Sequence, residues 1–117
     1  MSNYTNIADI ERHCKLPGWD GELAEAVTQE TIDFCSNLID LTKGIDYQVE
    51  ALTSGCVEIT FFITNKAELK VIGNEKTHIV GFFNGNLDFD KTVNNSKVLQ
   101  TAEAVQGFQK FYRLVYA

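Results

Sequence analysis

Two histidines and three cysteines are the most reactive side chains in this sequence, and their spacing decides whether they can act together. His13 directly precedes Cys14. An imidazole beside a thiol is the pairing that yields a nucleophilic thiolate. Sequence neighbours on a helix do not face each other, however, and no glycine-rich oxyanion loop follows. Cys14, Cys35 and Cys56 are widely spaced and form no Cys-x-x-Cys; with His13 and His78 they match no zinc-ligand spacing. Buried or neutral thiols in a reducing compartment are the expectation. Asp88 and Asp90 would share one face of an extended strand around Phe89, the arrangement of paired carboxylates, or would be solvated in a loop. Gly81-Phe82-Phe83-Asn84-Gly85-Asn86 has its glycines at the wrong offsets for a phosphate cradle, and no helix follows directly. Lys66, Lys70 and Lys76 gather on neighbouring segments, but Glu68 and Glu75 interleave with them. No catalytic, cofactor-binding or metal-ligating residue is therefore assigned, and the chain is read as a non-enzyme without a cofactor.

Composition narrows the classes further. The chain has 117 residues, the size of one domain, with 44% hydrophobic and 22% charged residues. Its net charge is −6 and its pI about 4.8. That balance disfavours a reader of nucleic-acid phosphates or an anionic membrane, and it permits a basic protein partner. No apolar run approaches the about 18 residues of a spanning helix. The first ten residues lack the basic start and apolar core of a signal peptide. A cytoplasmic protein is expected.

The elements that must position these residues centre on Gly55–Gly85, which reads as three short strands joined by tight turns. Before it, Ile7, Ile10 and Cys14 have helical spacing over residues 5–15, with Thr5 or Asn6 as cap and Pro17-Gly18 as stop. Residues 28–43 form the clearest helix, with Thr28 as N-cap, Ile32, Cys35, Leu38 and Ile39 as its stripe, and Lys43-Gly44 at its end. Strands are expected at 46–52, 56–64, 67–72 and 77–83. Asn84-Gly85-Asn86 starts a hairpin to a fifth short strand at Leu87-Asp88-Phe89, followed by a polar loop over 90–95. A long final helix over about 96–115 carries Val98, Ala102, Val105, Phe108, Tyr112 and Val115. The result is one α+β domain over residues 1–117: an antiparallel meander of four to five strands, an N-terminal helical part, and a long C-terminal helix packed on one face.

Trp19-Asp20-Gly21-Glu22, with Ala24, Val27-Thr28 and Glu30-Thr31-Ile32, resembles a motif of small uncharacterised bacterial proteins, often carried on mobile elements. Their pattern is Trp-Asp-Gly/Ser-Tyr-Gly-Ala-x-Pro-Val-Ser-x-Glu-x-Ile, then a helix and a meander. The match is ungapped, and Gly55-x-Val57-x-Ile59 fits the start of that group's central strand. It departs at Glu22, Leu23 and Ala26, where Tyr, Gly and Pro are usual, and the long C-terminal helix is not a regular part of the pattern. The resemblance implies a fold and carries over no activity or functional residue. Read alone, Trp19 is an indole plug with its N–H on a carbonyl, or an aromatic wall beside the Asp20 carboxylate.

Two function classes follow. Val57, Ile59, Phe61, Leu69, Val71 and Ile79 fall on one sheet face with an obvious use under the helices. Phe62, Ile72, Val80 and Phe82 fall on the other, beside Thr60 and His78. That mixed face, with Trp19, is the candidate surface for a homodimer or another protein partner, and the apolar C-terminal helix is the other surface through which such a partner could bind. The alternative is an apolar or aromatic ligand held between sheet and helices against Phe61, Phe62, Phe82, Phe83 or Phe89, rimmed by Trp19, His78 and Tyr47.

Overall fold

Five strands follow one another in space in the order they occur in the chain, every neighbouring pair antiparallel. They are β1 (Asp46–Ala51), β2 (Val57–Phe62), β3 (Ala67–Gly73), β4 (Lys76–Phe83) and β5 (Asn86–Asn94). Three helices accompany them: α1 (Ile7–His13), α2 (Gln29–Leu41) and α3 (Asn95–Ala104). The computed structural model of the chain describes residues 5–42, 46–62 and 67–104. The fold is α+β, an antiparallel sheet with helices on one side. Among the described residues no helix is long and apolar enough to cross a membrane.

Alternation decides which side. Val49, Ala51, Val57, Ile59, Phe61, Leu69, Val71 and Ile79 point one way along their strands and form one cluster with Ile10, Ile32, Phe34, Cys35, Leu38 and Val98 of the helices. α1 packs on β1, α2 on β2 and β3, and α3 on β4 and β5. Gly73 makes room for α2: a Cβ there would lie 3.2 Å from Phe34 Cδ2 and Cys35 Sγ.

Capping residues set the helix starts. Asn6 caps α1, its Oδ1 accepting from the Asp9 N–H at 2.9 Å. Thr28 caps α2 by accepting from the Thr31 N–H at 3.2 Å. α2 ends at Leu41, where the Thr42 hydroxyl donates to the Leu38 carbonyl at 2.8 Å; the expected Lys43-Gly44 stop lies outside the described residues. So do Ile63, Thr64 and the Asn65-Lys66 turn.

Asn84 and Gly85, with φ of 52° and 77°, make the two-residue turn into β5. Both positive values suit the primed turn that matches strand twist. The expectation of a polar loop over 90–95 is corrected here. β5 runs on to Asn94, pairing Asp90 with Val80, Thr92 with His78 and Val93 with Thr77. An edge strand with one face open to water needs few apolar residues, so its polar composition hides it. α3 then begins at Asn95, whose side chain accepts from the buried Thr77 hydroxyl and donates to the Asn74 carbonyl at 2.6 Å. Residues 105–115 of the expected long helix lie outside the described residues.

Candidate functional site

The outer sheet face is built by the register. Phe62 stands opposite Glu68, which stands opposite Phe82, which pairs with Leu87. In the next row Gln48, Thr60, Lys70, Val80 and Asp90 succeed one another from β1 to β5. In the third row Glu50, Glu58, Ile72, His78 and Thr92 do the same. The structure thus brings Phe62, Ile72, His78, Val80, Phe82 and Thr60 onto one face. No described helix packs there, and the apolar members are only part-buried.

Trp19 is not among them. It packs against the helix-side core, and its indole N–H donates to the Glu25 carbonyl at 2.8 Å. The loop around it is closed on itself. Asp20 Oδ1 accepts from the N–H groups of Glu22 and Ala24 at 2.9 and 3.1 Å, and Gly18 N–H donates to the Ala24 carbonyl at 2.7 Å. The Glu22 N–H holds the Asp20 carboxyl below its ordinary range. The loop also docks on the β1–β2 turn: Glu25 N–H donates to the Thr53 carbonyl at 2.8 Å. Gly55 in that turn has φ of 84° and leaves no room for a side chain, since a Cβ would sit 2.9 Å from the Ala26 carbonyl oxygen.

The outer face divides in two. Toward β4 and β5 it is apolar, with Ile72, Val80, Phe82 and Leu87, the last 62% exposed, and His78 Nε2 paired with Asp90 Oδ1. Toward β1 it is polar. There a concavity of about 510 Å³ is lined by Thr5, Tyr47, Gln48, Val49, Glu50, Glu58, Thr60 and Lys70. Lys70 Nζ lies 3.2 Å from Glu58 Oε1. Glu58 also stands directly across from Glu50, a like-charge pairing that costs a few tenths of a kcal/mol to about 1 kcal/mol. Tyr47, at the β1 edge of the concavity, shares the helix-side face with Phe61, its ring tilted against that of Phe61 with centroids 6.4 Å apart. A second concavity, about 310 Å³, lies between the start of α2 and Asn74, Glu75 and Asn95. Polar residues predominate in both linings, with Tyr47 and Val49 contributing apolar surface to the first. Of the phenylalanines expected around a ligand, Phe61 is wholly buried in the helix-side core, Phe62 and Phe82 are on the outer face, and the side chains of Phe83 and Phe89 fall outside the described ones.

Cys14 is fully buried while His13 is exposed, so the two do not face each other. Burial pushes the Cys14 thiol up and the Cys35 thiol to about 12. All three thiols are free. Among the described residues no three His, Cys, Asp or Glu side chains converge as a metal site.

Sequence reasoning found the apolar members of the face and missed Gln48, Glu50, Glu58 and Lys70 as a group. They sit on three strands and meet only through register. Comparison with protein-family models, curated proteins and solved structures finds no match.

Proposed function

We propose that this chain is a small non-catalytic accessory protein that binds another protein chain, a second copy of itself first, through the outer face of its sheet. The observation that carries this reading is the contrast in cover. Ile72, Val80, Phe82 and Leu87 adjoin one another on a face that no described helix occupies. Contiguous apolar surface rimmed by polar groups is the composition of protein contact sites. A cytoplasmic setting with reduced thiols belongs to the same proposal, as does continuation of α3 into a longer helix able to extend the contact. So does kinship with mobile-element proteins of the Trp-Asp-Gly-Tyr type.

Light scattering after size-exclusion chromatography tests it. The native chain is expected to run as a dimer and the Val80→Glu variant, with unchanged far-ultraviolet dichroism, as a monomer. A native chain that is monomeric at every concentration overturns the self-association. A small-molecule ligand is the second reading, favoured by the 510 Å³ concavity, which is of ligand size. Its lining points to a polar ligand rather than an aromatic one.

A further inference from the structure

We infer that the concavity on the β1–β3 side of the outer face is a receptor for a cationic side chain, an arginine guanidinium first and a lysine ammonium second, presented by a partner protein. The inference rests on the proposed protein-binding role of this face and names the chemistry of the contact. Charge comes first. Glu50 and Glu58 are directly opposed across β1 and β2, and one cation, Lys70 on β3, sits on the far side of Glu58 and pairs with it at 3.2 Å. Glu50 is left without a cation among the described residues. A second positive group in the concavity relieves the like-charge pair, and the whole chain, at −6, draws a basic partner toward it.

Hydrogen bonding supplies an independent observation. Thr60 is 8% exposed and lines the concavity, yet its hydroxyl has no partner among the described residues. Among the described residues no side-chain nitrogen or oxygen is both wholly enclosed and unpaired, so this hydroxyl is open to the concavity and can accept from a donor bound there. Thr60 stands between Gln48 and Lys70 in its row. A planar guanidinium entering beside them gives the Glu50 carboxylate a two-point partner and leaves an N–H for the Thr60 oxygen or the Gln48 amide oxygen. An ammonium meets the charge but not the planar fork, so arginine is the better fit.

The test is a ¹H–¹⁵N titration of the full chain with N-acetyl-arginine-methylamide and with the neutral citrulline analogue. Saturable shifts centred on Gln48, Glu50 and Thr60 are expected for the arginine probe alone. They should weaken about tenfold in Glu50→Gln, the size of one charge-assisted contact, and by a smaller factor in Thr60→Val. Both variants keep the strand's shape. Equal shifts with citrulline, shifts elsewhere on the molecule, or an unchanged Glu50→Gln titration overturn the site. Agmatine binding more tightly than the capped arginine overturns the protein source in favour of a free amine. The titration needs no partner protein. A monomer that nevertheless binds the arginine probe defeats the self-association and keeps the cation site, and a dimer that ignores the probe does the reverse.

Discussion

The same five strands build two faces of opposite character. On the helix side, Val57, Ile59, Phe61, Leu69 and Val71 are fully buried and Val49, Ala51 and Ile79 nearly so. On the outer side, Phe62, Ile72, Val80 and Phe82 are part-buried, Leu87 is open, and glutamates, a lysine and a histidine are set among them. Alternation assigns each residue to a side, so neither face can be changed by sliding a strand without spoiling the other. The helix side is therefore where the chain's stability resides. The outer side holds apolar groups that the described core does not use, and their purpose has to be sought outside it.

The sharpest way to break this comparison is to remove one large ring from each side. Phe61→Ala empties a site with no exposure and is expected to cost about 3–5 kcal/mol in urea unfolding. Phe82→Ala should cost about 1 kcal/mol, the ordinary loss at a part-exposed position. Equal losses would mean that the outer face is as covered as the inner one, and the binding proposal would fall with that result.

Adding atoms sharpens the contrast further. Ile72 and Gly73 are adjacent and face opposite ways. Gly73→Ala pushes a methyl to 3.2 Å from Phe34 and Cys35, and overpacking of this kind costs about 1–3 kcal/mol. Phe34→Leu in the same chain should return part of that loss, seen as a favourable coupling in a double-mutant cycle. An additive pair would show that α2 does not press on β3 at this point.

How much of this was legible follows from range. The strands of Gly55–Gly85 were readable because period-two alternation is written into consecutive residues, and the Asn84-Gly85 turn declares its own geometry. β5 beyond Phe89 was not, because Asp90, Lys91, Thr92 and Asn94 are polar and only pairing with β4 makes them a strand. The caps Asn6 and Thr28 were readable, since each acts on a residue three positions away. The Glu50–Glu58–Lys70 grouping was not, because it depends on which residue of β1 meets which of β2 and β3. Trp19 shows both cases. Its N–H on a carbonyl followed from the residue type, whereas its place on the helix side follows from the loop docking on Thr53 and Gly55.

That loop closes one end of the helix-side core, so weakening it should disturb one face and spare the other. The Asp20 carboxyl is held below its ordinary value by the Glu22 N–H, so its folded pKa lies below its unfolded one. The stability it contributes is therefore complete above the unfolded value near 3.9 and is lost as pH falls through the folded value. Asp20→Ala lacks that contribution at every pH. The variant should melt below the native chain at neutral pH, and the gap should narrow as pH falls from the unfolded value through the lower folded one, where the native carboxyl also loses its charge. Trp19 is the only tryptophan, so its fluorescence reports this loop directly. The expected effect is the smallest of the set, because the carboxylate is exposed and water competes for its hydrogen bonds. A gap that stays constant across the acid range would mean that the loop is held by Trp19 and its backbone contacts alone, with the Asp20 charge contributing nothing to closing the core.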